Sequence, residues 1–229
     1  ARRLERRSHE RRSHERRSHE RRRMSLHADA CAVLAAFDHR DPAQLDTAAQ
    51  YLAFLDAHPD GTRRECREGH ITASALVIDR SGEHVLLTLH PKVGRWLQLG
   101  GHLEPEDAHL RAGAVRETIE ESGLQAGRIS AVPVRLDHHP VPCGRGPDGA
   151  PLASEHLDVQ FVVQVPEALP PTISSESDDL RWFPRTALPT LPKSPTLPTI
   201  DDSVSALIDD ALAFAAHEPR ADRRWVTFG

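Results

Sequence analysis

Three carboxylates and a guanidinium stand close together near the middle of this chain: Arg116, Glu117, Glu120 and Glu121. Residues at i, i+3 and i+4 share one face of a helix, so the three glutamates line up wherever this segment is helical. Gly123 sits where a left-handed residue closes such a helix, and Leu124 can make the apolar contact that follows it. The anions therefore fall in the last two turns, at the negative end of the helix dipole. Each forgoes or reverses about 0.3–1 kcal/mol there, and like charges four apart cost about 0.2–0.5 kcal/mol more. Arg116 offsets part of this through its i,i+4 relation to Glu120, but one cation does not neutralise three carboxylates. Such a cluster is either a solvated acidic helix end or a functional site. In a functional site the compensating partner is a hard divalent cation held by oxygen ligands, hence Mg²⁺ or Mn²⁺.

The surrounding elements follow from pattern and punctuation. Residues 27–59 read as a helical segment, with Leu34, Phe37, Leu45, Ala48, Leu52 and Leu55 at three- and four-residue steps, stopped by the His58-Pro59-Asp60-Gly61 turn. Residues 70–79 and 84–90 read as strands joined by an Asp79-Arg80-Ser81-Gly82 turn, a hairpin. A glycine-containing stretch from Pro91 to Gly101 leads to the helix, expected at about 107–122. Strands are expected at 130–138, 156–165 and 179–183. Five prolines within 184–199 make an extended connector. A last helix spans 201–216, with Asp201 or Asp202 as cap and Val204, Leu207, Ile208 and Leu212 on one face. Mixed strands with a few helices argue for a layered α/β domain.

Charge is unevenly spread. Residues 1–23 repeat ERRSH and carry eleven Arg and four Glu, so a chain of net charge −5 has a body, residues 24–229, of −12. An acidic body is a poor match for a nucleic-acid polymer, which wants a basic face. It suits recruitment of a cation that then meets phosphate. The repeat has a period of five and one large apolar residue, Leu4, so it offers nothing to a core. It reads as a disordered leader foreign to the protein, which would itself begin at Met24, the only methionine; a basic nucleic-acid arm is the alternative. No apolar run approaches the roughly 20 residues that cross a bilayer. Cys31, Cys66 and Cys143 are odd in number and widely spaced, which reads as reduced thiols in a cytoplasmic protein.

The stretch GGHLEPEDAHLRAGAVRETIEESGL, residues 100–124, resembles the Nudix box, G-x5-E-x7-R-E-U-x-E-E-x-G-U with U aliphatic. Gly101, Arg116-Glu117, Glu120-Glu121, Gly123 and Leu124 match. Asp107 stands where the first glutamate belongs, eight residues rather than seven separate it from Arg116, and Thr118 holds the first aliphatic position. The first two departures weaken any role for Asp107 and leave the glutamate face intact. The RWLQLGGH approach (95–102) and the later strand-like HLDVQFVV and DLRWF extend the likeness.

The resemblance implies a Nudix-like α/β/α sandwich with a mixed β-sheet at 66–190. A helical extension at 24–65 precedes it, and the Pro-rich connector and C-terminal helix at 191–229 follow. It implies a hydrolase that cuts a diphosphate linkage in a small nucleotide-like compound with metal-activated water. Glu117, Glu120, Glu121 and the Gly101 carbonyl would be the Mg²⁺ or Mn²⁺ ligands, and Arg116 would orient the glutamates. The general base stays open among Glu117, Glu120 and Glu155. Glu155, opening a strand beyond the box, is a base, a ligand or a solvated loop residue. His138-His139 have no partner at ligand spacing and read as a strand end. Lys92, Arg95 and Trp96 would bind phosphate and stack a base, unless Trp96 is core.

A catalytically silent nucleotide sensor and a prenyl-diphosphate isomerase relying on Cys66 or Cys143 are the alternatives. The expected partner is a small phosphorylated substrate, with no nucleic-acid polymer and no membrane. A homodimer and the identity of the leaving group are open.

Overall fold

The structure is a computed structural model that describes residues 24–145, 151–174, 177–189, 198–216 and 223–229. The Arg-rich repeat and much of the proline connector lie outside the described residues, as does the side chain of Cys143.

The expected N-terminal helix is two helices, α1 (Leu26–Ala35) and α2 (Pro42–Ala57). The break is local chemistry. Proline at the first helical position suits a start, and the Asp41 carboxylate accepts the Ala43 N–H at 3.0 Å as its cap. β1 (His70–Asp79) and β2 (His84–His90) form the expected hairpin, and Asp79 holds its turn by accepting from Ser81 Oγ at 2.6 Å and the His84 N–H at 3.1 Å. Two short strands, β3 (Arg95–Leu97) and β4 (Leu99–His102), precede helix α3 (Leu110–Ser122).

The strand expected over 130–138 is interrupted. β5 (Gly127–Ser130) stops, and β6 (Arg135–Arg145) begins after Pro133, whose missing N–H cannot join a ladder. β7 (Pro151–Val165) and β8 (Asp179–Pro184) follow, then helix α4 (Asp202–Ala216) and a short β9 (Trp225–Phe228) absent from the sequence reading. Asp201 caps α4, its Oδ1 accepting the Val204 N–H at 3.0 Å.

Among the described residues, nine strands make one mixed sheet, in which β3-β2-β1-β7-β5-β9 is the main path, β4 joins β1, β6 joins β7 and β8 joins β2. The β1–β7 pair is parallel, and the remaining pairs are antiparallel. Both faces are covered, so β1 is buried throughout rather than alternating. Ile71, Ala73, Ala75 and Val77 pack in one core with α1, α2 and α3, while Leu76 and Ile78 pack in a second core with α4. The result is a helix–sheet–helix sandwich. On the α4 side, only the far half of β1 is apolar; the near half presents His70, Thr72 and Ser74.

The N-terminal helices are tied to this body at named points. Gln44 pairs with the backbone of Leu136 in both directions (2.7 and 3.1 Å), and Tyr51 donates to the Asp137 carbonyl at 2.6 Å. Asp29 of α1 accepts the Leu110 N–H at 2.8 Å and so caps α3. No described helix is long and apolar enough to cross a membrane.

Candidate active site

The expected glutamate row exists, and its members differ in exposure. α3 starts at Leu110 rather than near 107, because His109 is its cap, with Nδ1 accepting the Ala112 N–H at 2.9 Å. It ends as expected on Gly123, left-handed at φ 70°. Glu117 and Glu121 point at β4 and are each 8% exposed, whereas the Glu120 side chain is 55% exposed at the rim. Thr118, the polar residue at an aliphatic position of the box, is fully buried and donates its hydroxyl to the Ala114 carbonyl at 2.8 Å, so burial leaves that hydroxyl satisfied.

The two glycines of β4 make this approach possible. A Cβ at Gly101 would stand 2.8 Å from Glu117 Oε1, and one at Gly100 would stand 2.3 Å from Ser74 Cβ. The Gly100 N–H donates to Glu121 Oε2 at 3.2 Å. Two buried carboxylates are thus pressed flat against a strand.

Arg116 joins the pieces with every donor it has. Nη1 donates to Glu117 Oε1 and Glu120 Oε2, both at 2.9 Å, and Nη2 to the His102 carbonyl at 2.8 Å and Asp107 Oδ2 at 3.0 Å. Nε reaches Asp107 Oδ1 at 3.2 Å. Those five bonds exhaust the guanidinium, and the Asp107 pair is the fork geometry that suits arginine. Burial works to lower the Arg116 pKa, but Asp107 and Glu117 outweigh it and raise the value. The expectation that Asp107 has a weakened role is therefore corrected. The extra residue is absorbed in the turn before α3, and Asp107, its side chain 6% exposed, reaches the arginine and also accepts the Glu104 N–H at 2.8 Å.

The donor set fits a hard divalent cation. It consists of carboxylate oxygens plus the backbone at Gly101, without nitrogen or sulfur, and glycine leaves the space that a Cβ would fill. A groove of about 470 Å³ opens beside this helix, with Arg116, Glu120, Val115, Ile119 and Phe228 among its walls.

Other candidates fall elsewhere. Glu155 pairs with His138 at 3.1 Å and faces a hollow with Tyr51, Phe54 and Glu68; no described bond joins it to the helix carboxylates. His138 and His139 are not a strand end, since β6 continues through them to Arg145. His139 pairs with Asp137 at 2.7 Å, and that bond raises its pKa. Trp96 is core, 5% exposed and edge-on to Phe183 at 4.8 Å, so it does not offer a stacking face for a base. Arg95 pairs with Asp201 at 3.3 Å, and Lys92 is exposed. Cys66 is buried, and burial raises its thiol pKa.

Asp158 was missed by the sequence reading. It is 3% exposed, burial raises its pKa, and it accepts from Thr72 (2.9 Å), Ser74 (2.6 Å), Gln98 (3.2 Å) and Gln160 (3.2 Å). The signal was present: His156, Asp158 and Gln160 place polar groups at period two in an otherwise apolar strand.

Residues 68–205 match the family model described as the NUDIX domain. The m7GpppN-mRNA hydrolase NUDT17 of Bos taurus is 42% identical over 69 residues, which cover 27% of this chain and 22% of that protein. The chain thus spans about a fifth of the length of that curated relative. A Nudix-family hydrolase from Clostridium perfringens superposes with a TM-score of 0.45 at 21% identity, covering 63% of this chain and 97% of that one. The dihydroneopterin triphosphate pyrophosphohydrolase of E. coli does so with a TM-score of 0.45 at 17% identity, covering 61% and 92%.

Proposed function

This chain belongs to the Nudix family, and from that premise we propose that it is a hydrolase that cuts a diphosphate linkage in a nucleoside diphosphate derivative. The observation that carries the reading is the row of Glu117, Glu120 and Glu121, in which Glu117 and Glu121 pack against Gly100-Gly101 and Arg116 holds Glu117 and Glu120. Members of the family generally use divalent cations; here Glu117, Glu120, Glu121 and the Gly101 carbonyl would hold Mg²⁺ or Mn²⁺. Bound there, the cation supplies charge stabilisation to the phosphoryl oxygens and a more acidic water.

The chain's own groups do the positioning. Asp107 fixes Arg116, Arg116 fixes Glu117 and Glu120, and the Gly100 N–H fixes Glu121. Glu120 stands at the solvent rim with Arg116 on its Oε2, which leaves Oε1 either to hold the cation or, with Glu117 or Glu155 as the alternatives, to take the proton of the attacking water. The water oxygen bonds to one phosphorus, the bridging P–O bond breaks, and the leaving group departs as a phosphate anion. Glu155 lies on β7, where its side chain pairs with His138 at 3.1 Å. The bovine relative, named for hydrolysis of m7GpppN-mRNA, favours a substrate in which phosphates join nucleosides.

The test is a panel of nucleoside diphosphate sugars, dinucleoside polyphosphates, capped dinucleotides and nucleoside triphosphates, with Mg²⁺ or Mn²⁺, in ¹⁸O-water. The expected result is cation-dependent cleavage of one class, with one ¹⁸O in one phosphate product. Tight binding of a panel member without cleavage under either cation would overturn the hydrolase reading in favour of a sensor.

A further inference from the structure

The polar half of the sheet holds a second group of side chains that the proposed hydrolysis does not use. Register brings three histidines together from three strands. The parallel β1–β7 pairing sets His70 directly against His156, and the antiparallel β1–β4 pairing sets His102 against Thr72, two residues along β1 on the same face. Their ring centroids form a nearly equilateral triangle of 5.0, 4.9 and 5.1 Å. One nitrogen from each ring lies within 4.8 Å of the other two.

We propose that His70, His102 and His156 form a transition-metal site, for Zn²⁺ or a similar borderline ion, distinct from the carboxylate row. Imidazole nitrogen suits such ions, whereas Mg²⁺ seeks oxygen. A point equidistant from three nitrogens 4.8 Å apart lies about 2.8 Å from each, against about 2.0–2.1 Å for a zinc–nitrogen bond, so each ring has to close in by less than about 1 Å. Three protein nitrogens leave a fourth tetrahedral position to water or to a small ligand.

Two further observations point to a ligand rather than to packing. The His156 Nε2 is buried and has no hydrogen-bond partner among the described residues, a costly arrangement for a ring nitrogen. His70, 1% exposed, is bonded to the Cys66 backbone, which fixes its ring as outer partners fix metal-bound histidines. His102 and His156 are only half-buried, which gives an ion a way in. The nearby cations, Arg64 and Lys92, are both exposed and therefore screened.

The test uses the full chain, stripped with chelator and then saturated with Mg²⁺ so that the carboxylate row is occupied. Zn²⁺ is titrated by calorimetry, and X-ray absorption is recorded on the zinc-loaded protein. The expected result is one Zn²⁺ per chain, with imidazole scattering from three histidines. His156→Asn should weaken binding by more than the roughly 10–100-fold that loss of an outer partner costs, while Glu120→Gln should leave it unchanged. Spectra showing only oxygen neighbours, zinc lost on Glu120→Gln, or no binding by the unsubstituted chain would each overturn the proposal. None of those outcomes depends on whether the hydrolase reading holds.

Discussion

At the scale of single residues, the site is organised by what surrounds Arg116 as much as by the glutamates. The glutamate face could be read from spacing alone, because i, i+3, i+4 geometry is fixed by the helix itself. The part played by Asp107 could not. One extra residue before the helix breaks the family spacing, and only the folded turn shows that the shorter carboxylate still reaches the guanidinium as a fork. Asp107→Ala should therefore release Arg116 and, with it, the orientation of Glu117 and Glu120. Turnover is expected to fall by about 10–100-fold, the usual cost of losing an outer partner. Stability should drop by about 1–3 kcal/mol, because the Glu104 N–H and a part-buried guanidinium lose their acceptor. Steady-state kinetics and thermal melts would show both; unchanged turnover would return Asp107 to a bystander.

At the scale of elements, legibility followed locality. The β1–β2 hairpin and the end of α3 matched their expected limits because turn chemistry and a glycine cap act within a few residues. The β5–β6 break and β9 were not foreseen. Pro133 sits inside an apolar run that still looks like one strand, and β9 is four residues long, defined by pairing with β5 roughly a hundred residues earlier in the chain. The Asp79 turn allows a pH test. Burial would raise the Asp79 pKa, but its bonds to Ser81 and His84 outweigh this and hold it below the usual carboxylate value of 3.8. A depressed pKa adds stability that is complete above the unfolded value and is lost as pH falls through the folded one. Asp79→Asn should thus cost about 1 kcal/mol at neutral pH, with the gap closing below about pH 3.8 as wild-type Asp79 protonates. Parallel melting curves from neutral to acid pH measure this. A gap that persists at low pH would assign the cost to packing instead of charge.

At the scale of the whole molecule, the sandwich separates what holds the protein together from what does its chemistry. Two apolar cores flank the sheet. The N-terminal helices share a core with α3 and cap it through the Asp29 carboxylate, which accepts the Leu110 N–H, a contact across 81 residues that no local pattern could reveal. The carboxylate row is stacked on this frame at an electrostatic cost, so the frame should survive its removal.

That separation makes Glu120→Gln the most direct measurement, with melting temperature and turnover taken on the same preparation. Glu120 is exposed and its pair with Arg116 is a surface one, worth about 0–1 kcal/mol. In chelator the variant should melt at the wild-type temperature or slightly above. Mg²⁺ should raise the melting point of the wild type by mass action and that of the variant less. Turnover of whichever substrate the panel identifies should fall by about 10²-fold or more. A variant that keeps full Mg²⁺-dependent turnover, or one that unfolds readily in chelator, would contradict the account.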